Sequence, residues 1–278
     1  MGTALITGAT SGIGLELAWQ LAEAHHDLVL VARTRERLDQ IATQISQAAG
    51  VGVQVIAADL SVADNVTRVA ERLRVGRPAT GLSAGAARPD VPHTVEQVAA
   101  RPIDLLVNNA GFAVGQSFTA GDLGQEHRAL NVMVGAVLEL THAAIPGMIA
   151  RGHGAVLNVS SVTALTAMGT YAAHKAWVRT FTEGLASELR GTGVTATVVN
   201  PGLTRTEFHD RAGMEADWPR VAWLRTQDVA RDALAAVRRG QVICTPSLRY
   251  RGVNALLRLA PRGVVRRVAG HAGARTRY

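Results

Sequence analysis

The stretch that decides the fold is Thr3-Ala-Leu-Ile-Thr-Gly-Ala-Thr-Ser-Gly-Ile-Gly14, close to the N-terminus. Its apolar first half predicts a buried strand, and the pattern that begins at Gly12 predicts a helix. Glycines in the turn between them let the backbone approach a pyrophosphate, which the helix N-terminus holds through its N–H groups. Leu17 replaces the last glycine of the general dinucleotide pattern, so a turn that binds nothing remains the alternative.

Strands and helices are predicted to alternate outward from this turn. The predicted strands cover residues 3–7, 28–32, 53–57, 103–108, 155–160, 194–200 and 241–244. The predicted helices cover residues 12–24, 34–49, 62–74, 122–150, 168–190 and 226–239. Such alternation builds right-handed βαβ units, so we predict an α/β fold with one doubly wound, parallel, seven-stranded sheet of the Rossmann type.

The chain is predicted to hold one domain with two additions. Residues 1–244 are expected to form the main domain, and residues 76–92, rich in Gly, Pro, Ala and Ser, form a surface insertion within it. Residues 245–278 form a basic C-terminal extension. We expect no transmembrane helix, because the uncharged run 154–174 is too polar to span a bilayer.

Composition narrows the functional class. A chain of 278 residues with 47% hydrophobic content is not disordered, and its single cysteine, Cys244, forms no internal disulfide and no zinc cluster. We therefore expect a reducing, cytoplasmic setting and no metal site. The net charge of +7 lies in the extension, which has eight arginines and no acid, so the rest of the chain carries −1. Nucleic-acid binding is not expected.

Three further motifs follow the glycine turn in order. They are Asn108-Asn-Ala-Gly111, Tyr171-Ala-Ala-His-Lys175, and Asn200-Pro-Gly202 with Thr204 and Thr206 after it. With the glycine turn, they resemble the short-chain dehydrogenase/reductase family over roughly residues 3–244. The resemblance implies a dinucleotide cofactor contacted by Gly8, Thr10, Ser11, Gly12, Ile13, Gly14, Asp59, Leu60, Asn109, Ala110, Gly111, Tyr171, Lys175, Pro201, Gly202, Thr204 and Thr206.

Cofactor choice is predicted from the end of the second strand. Enzymes that use NAD place an acid there for the ribose 2′-OH, whereas an arginine accommodates the 2′-phosphate of NADP. Here Ala32 takes the acidic position and Arg33 follows, which predicts NADP(H). A merely solvated Arg33 is the alternative, and a helix-capping Asp59 is the alternative to an adenine-binding one.

Catalysis is predicted to centre on Tyr171 and Lys175, which lie one helical turn apart on one face. A tyrosine, with an ordinary pKa near 10, needs a neighbouring cation to lower that pKa. Lys175 is the single lysine among 29 basic residues, so this position favours a compact ammonium over a guanidinium. The resemblance adds Ser161, with Ser160 as the alternative, to polarise the substrate oxygen, and Asn131 to relay protons.

The sequence thus predicts a homodimeric or homotetrameric NADP(H)-dependent oxidoreductase that interconverts a ketone or aldehyde with an alcohol. Residues 112–117, 162–169 and 203–224 are expected to line the pocket, whose apolar side chains favour an apolar or amphipathic substrate. The alternative is a catalytically silent NADP-binding scaffold or a peripheral-membrane regulator.

The extension has apolar residues at helical spacing, namely Val253, Leu256, Leu257, Ala260, Val264 and Val268, with arginines off that stripe and a break at Pro261. Weak contact with an anionic membrane is one interpretation. Packing of the stripe on the body, on a partner subunit or over the pocket is the other, and a disordered end is the third.

Overall fold

The computed structural model describes residues 2–75, 93–206 and 222–270. Within them, seven parallel strands form one sheet in the order β3-β2-β1-β4-β5-β6-β7, which confirms the predicted doubly wound fold. The strands are β1 Thr3–Thr7, β2 Asp27–Ala32, β3 Val53–Ala57, β4 Leu105–Asn108, β5 Gly154–Val159, β6 Val194–Val199 and β7 Ile243–Cys244.

Helices cover both faces of the sheet. They are α1 Gly12–Glu23, α2 Arg35–Ala49, α3 Ala63–Arg74, α4 Val95–Ala100, α5 Leu123–Leu130, α6 Ala136–Arg151, α7 Gly169–Glu188, α8 Thr226–Arg238, α9 Leu248–Leu259 and α10 Arg262–Val268. A π-helical turn, Asn131–Gly135, joins α5 to α6, and a 3-10 turn, Val162–Leu165, precedes α7.

Two apolar layers hold the helices against the sheet. On one face, Leu17, Leu38 and Ile45 of α1 and α2 pack with Ala233 of α8. On the other face, α3, α6 and α7 contribute a second buried cluster that includes Leu140 of α6. Because both faces are covered, the central strands are apolar on both sides, as a parallel sheet requires.

The strand order reverses between β1 and β4. Ile6 of β1 pairs with Val107 of β4, although about a hundred residues separate them. Loops that leave the carboxyl ends of these two strands turn to opposite faces, which opens a crevice between them. The glycine turn and the Asn108-Asn-Ala-Gly111 motif both lie at this crevice.

Some predicted boundaries were wrong. Strand β4 begins two residues late because the Asp104 carboxylate accepts from the Thr3 N–H at 2.9 Å, and β7 is only two residues long. Helix α4 was not predicted, although Thr94 and Gln97 form a reciprocal capping box at its start. The predicted insertion 76–92 lies outside the described residues, as do residues 207–221 of the predicted pocket.

The helix Leu123–Arg151 is long and apolar enough to cross a membrane by length and composition alone. Within its most apolar window, 56% of the surface is buried inside the fold, where α6 packs against α3. A helix in the core of a globular protein can have the same length and composition. The length and composition of this helix are therefore weak evidence for a membrane span.

The extension is helical on both sides of Pro261, which caps α10. The residues of the predicted stripe differ in burial, since Val253, Leu256, Val264 and Val268 are exposed, whereas Leu257 and Ala260 are partly buried. The residues that face the body are instead Tyr250 and Asn254 of α9 and Val265 of α10.

Candidate active site

The glycine turn adopts a backbone that other residues tolerate poorly. Gly8 and Gly12 have φ values of +66° and +55°, in the left-handed region. A Cβ on Gly14 would lie 2.3 Å from both the Asn109 Nδ2 and the Gly8 oxygen. The Ser11 side chain does not cap α1, so the first N–H groups of α1 stay available to an anion. This cradle fits the pyrophosphate of a dinucleotide.

Thr7 and Asn109 hold the turn in place. The Thr7 hydroxyl accepts from the N–H groups of Asn109 and Ala110, both at 3.0 Å. The Asn109 amide donates to the carbonyls of Thr7 and Gly8 at 3.0 and 3.2 Å. Asn109 therefore supports the turn from behind. Sequence reasoning missed Thr7, although a Thr directly before the first glycine was a visible signal.

Lys175 is buried inside the crevice. Its Nζ donates to the Val159 carbonyl at 2.8 Å and lies near the Gly111 α-carbon, where an added Cβ would be 3.3 Å away. Burial lowers the pKa of Lys175 to about 8. The ammonium therefore changes its charge close to neutral pH, as a proton carrier must.

Tyr171 lies one turn earlier on α7, and its ring centroid is 5.8 Å from the Lys175 Nζ. The predicted lowering of its pKa was wrong: burial raises the pKa of Tyr171 to about 12, against an opposing hydrogen bond with Ser161. Desolvation disfavours the charged phenolate and outweighs the hydrogen bond from Ser161. At neutral pH the tyrosine carries its proton and is ready to donate it.

The two serines after β5 point in different directions. The Ser161 hydroxyl hydrogen-bonds with Tyr171 and also accepts from the Thr163 N–H at 3.1 Å. The Ser160 hydroxyl is buried and donates to the Lys175 carbonyl at 2.7 Å. Ser161 therefore lies beside Tyr171, whereas the Ser160 hydroxyl is already hydrogen-bonded to the backbone of α7.

Asn131 opens the π-helical turn. Its side chain donates to the Ser61 carbonyl at 3.2 Å, and its own carbonyl accepts from the Ala136 N–H, five residues on. Helix α7 packs against this turn. A π-turn displaces backbone carbonyls from the regular helical ladder, and such turns are frequent at functional sites.

The charged residues that follow β2 and β3 differ in their hydrogen-bond and ion-pair partners. The Asp59 carboxylate accepts from the N–H and hydroxyl of Ser61 at 2.9 and 2.7 Å, so it forms a local turn and does not cap α3. Burial would raise the pKa of Asp59, but the hydrogen bonds from Ser61, with Arg128 and Arg33, lower it. Arg35 is paired with Asp39 at 2.8 Å, whereas Arg33 is exposed and makes no ion pair with the residues that the structure describes.

The segment after β6 closes the crevice. Thr206 lies against the glycine turn, where a Cβ on Gly12 would come within 2.9 Å of its Cγ2. The Leu203 carbonyl accepts from the Leu224 N–H at 2.7 Å, and the Arg205 N–H donates back to Leu224 at 3.2 Å. These bonds join the two ends of residues 207–221, whose structure lies outside the described part.

Tyr250 of α9 holds this segment from outside. Its hydroxyl donates to the Ala222 carbonyl at 2.8 Å and accepts from the Leu203 N–H at 3.1 Å. On the opposite rim, Arg262 donates to the Leu165 carbonyl and the Ala167 N–H donates to Ala269, both at 3.1 Å. Sequence reasoning missed Tyr250, since nothing in the local pattern links residue 250 to residues 203 and 222.

The structure thus brings the predicted site residues to one edge of the sheet. The glycine turn, residues 109–111 and residues 202–206 surround the crevice. Lys175 lies beside Gly111, and Tyr171 lies next to both Lys175 and Ser161. The predicted Leu60 is buried, and Ile13 packs against the apolar core, so their side chains serve the fold. Their backbone positions still lie beside the predicted cofactor contacts.

Comparisons with known proteins agree with this arrangement. A family model described as short chain dehydrogenase matches residues 2–78 and 82–216. The chain is 34% identical over 239 residues to sulfoacetaldehyde reductase 2 of Chromohalobacter salexigens, covering 81% of this chain and 84% of the relative.

Solved structures give the same result. A short-chain dehydrogenase from Sphingobium yanoikuyae in complex with NADPH has a TM-score of 0.78 at 30% identity, with both chains fully covered. A bulky-bulky ketone specific alcohol dehydrogenase from Comamonas testosteroni has a TM-score of 0.74 at 26% identity, covering 94% of this chain and 96% of that one. Since the family model spans most of the residues, this chain belongs to the short-chain dehydrogenase/reductase family of oxidoreductases.

Proposed function

We propose that this chain is an NADP(H)-dependent oxidoreductase that interconverts a ketone or aldehyde with an alcohol on an apolar or amphipathic substrate. The observation that carries the proposal is the contact between the hydroxyls of Tyr171 and Ser161, with Lys175 one turn along α7. A carbonyl oxygen that reaches both hydroxyls is polarised by one donor and protonated by the other.

In the direction of reduction, each residue has a distinct task. Ser161 orients and polarises the substrate oxygen, and Tyr171 donates its proton to the developing alkoxide. When bound, NADPH supplies the hydride that the carbonyl carbon receives. Lys175 then returns a proton toward Tyr171, and Asn131, at the π-turn against α7, completes the path from solvent.

The residues around the crevice would hold the cofactor. The N–H groups after Ser11 would bind its pyrophosphate, and Gly202, Thr204 and Thr206 would contact its nicotinamide end. Arg33 supports NADP(H) over NAD(H), because it follows Ala32, is exposed and forms no ion pair with a carboxylate in the described part of the chain. The Sphingobium relative solved with NADPH supports the same choice.

The substrate class is inferred from the rim of the crevice. Val114 and Leu165 are partly buried and Met168 is exposed, so an apolar or amphipathic substrate fits this rim. The Comamonas relative, described as specific for bulky-bulky ketones, supports a carbonyl flanked by large groups.

We also propose a homodimer or homotetramer in a reducing, cytoplasmic setting. Leu138 and Ile149 of α6 are exposed, and Trp177 and Phe181 of α7 stack at 4.8 Å beside a surface groove. Apolar groups on two neighbouring helices support burial against another copy. Cys244 is a buried free thiol, which suits a compartment without disulfide formation.

The experiment is a substrate screen with purified full-chain protein. NADPH consumption is followed by its absorbance against a panel of aliphatic, aromatic and steroidal carbonyls, with alcohols and NADP⁺ for the reverse direction. The proposal expects turnover of at least one apolar carbonyl. Tight NADPH binding without turnover of any panel member would favour the silent scaffold.

A further inference from the structure

Helix α9 turns its apolar stripe toward solvent. Its outward residues Leu248, Gly252, Ala255, Leu256 and Leu259 repeat at the spacing that a globular helix normally turns toward its core. Leu248 is 79% exposed, Leu256 is 73% exposed and Leu259 is 86% exposed. The inward face carries Tyr250, Asn254 and Leu257 instead. No residue in the described part of the chain covers the three leucines.

Arginines flank this stripe on both sides. At 100° per residue, Arg249 lies on one side of the leucines, and Arg251 and Arg258 lie on the other. All three side chains are exposed. The short helix α10 continues the pattern with exposed Val264 and Val268 beside further arginines, and residues 245–278 contain no Asp or Glu.

The charge pattern distinguishes between two possible binding partners of this face, a second copy of the chain and a lipid surface. A second copy that met it across a two-fold axis would bring the same arginines face to face, which is repulsive. With 12 residues, α9 is also too short to cross a bilayer, so it would lie along the surface. An apolar stripe flanked by cations is typical of helices that lie in the interface of an anionic membrane.

We propose that the outer face of α9 and α10, which we call the tail face, docks on an anionic lipid surface. The inner side of the same helices contacts both rims of the pocket, through Tyr250 on Leu203 and through Arg262 on Leu165. Docking would therefore hold the pocket beside the lipid, where amphiphilic carbonyls dissolve. This last consequence rests on the proposed function, whereas docking itself does not.

The test is co-sedimentation of the full chain with phosphatidylcholine vesicles that contain or lack phosphatidylglycerol. We expect binding only to the anionic vesicles and loss of binding at high salt, because salt screens the arginines. Leu256→Ser with Leu259→Ser should weaken binding at least about tenfold through lost apolar burial. Arg258→Ser should weaken it by roughly fivefold. Leu123→Ser, at an exposed leucine on α5, is the matched control and should bind like wild type.

Three results would overturn the proposal. They are absence of binding to anionic vesicles, binding that the α9 substitutions leave unchanged, and a smaller oligomer by light scattering after those substitutions, which would make the tail face a contact between copies. Tyr171→Phe should bind vesicles like wild type, so failure of the proposed catalysis and failure of docking are separate outcomes.

Discussion

The ring of Tyr250 lies directly against Gly202, where a Cβ would come within 2.1 Å of the Tyr250 Cζ. A residue of the C-terminal extension is thus packed on the segment predicted to cover the nicotinamide. The Tyr250 hydroxyl also forms hydrogen bonds with Leu203 and Ala222, which lie near the two ends of the predicted pocket range 203–224. The extension is therefore part of the site's support as well as a surface.

Tyr250→Phe should loosen this segment while keeping the ring packed on Gly202. It leaves the Leu203 N–H and the Ala222 carbonyl without their partner, a cost of about 1–3 kcal/mol. We expect KM for NADPH and substrate to rise by roughly three- to tenfold with kcat nearly unchanged, measured by steady-state kinetics. Leu259→Ser, on the solvent side of α9, is the control. Unchanged KM values in Tyr250→Phe would show that the hydroxyl does not position the segment.

The two serines after β5 should separate catalysis from stability. Ser161→Ala removes the donor beside Tyr171 and should lower kcat by about 10²–10³, the usual loss for one such donor. Ser160→Ala should keep most of kcat but lower the free energy of unfolding by about 1–3 kcal/mol, because the Lys175 carbonyl loses a buried bond. Kinetics and denaturant unfolding on both variants measure this. The reverse pattern would assign the role to Ser160.

Cofactor preference should respond to Arg33 and not to Arg35. Ala32→Asp with Arg33→Ala places an acid where the 2′-phosphate would bind and removes its cation, so the ratio of kcat/KM for NADPH over NADH should fall by roughly 10- to 100-fold. Arg35→Ala is the control, since Arg35 is already paired with Asp39. A wild-type protein that prefers NADH would refute the NADP(H) assignment.

The pH profile of carbonyl reduction should report Lys175. Its pKa of about 8 lies below the ordinary value because of burial, and reduction needs the protonated form. The rate with saturating NADPH should therefore be full at lower pH and fall as the pH rises through about 8. Tyr171, with a pKa of about 12, keeps its proton across this range. In Lys175→Arg any residual activity should lack this fall, because arginine stays charged. A rate that stays flat to about pH 10 would contradict the relay.

The sheet could be predicted because each strand is marked locally by a short β-branched run between helical patterns. The parallel, doubly wound arrangement followed from the alternation of these strands with helices. Helix α4 also has a local sequence signal, the capping box of Thr94 and Gln97, but it follows the insertion closely and the helix was not predicted. The π-turn at Asn131 has no local sequence signal, because a shift from i+4 to i+5 hydrogen bonding leaves the apolar periodicity almost unchanged.

The sequence predicted which residues would lie together at the crevice, but it did not predict the electrostatics of these residues. Spacing placed Tyr171 and Lys175 on one face, yet the direction of the Tyr171 pKa depends on burial, which no local pattern reports. The same limit applies to the extension. Helical spacing identified its apolar residues, but which side of α9 faces the body is decided by Tyr250 and its distant partners, Leu203 and Ala222.

The central claim is that Tyr171 is the proton donor of a carbonyl reductase. The most direct measurement is the kcat/KM of Tyr171→Phe on a carbonyl that the wild type reduces, with NADPH binding measured in parallel by fluorescence titration. We predict a loss of about 10²–10⁴ in kcat/KM with nearly unchanged NADPH affinity, because only the acid is removed. Retention of more than about a tenth of the wild-type kcat/KM would contradict the claim.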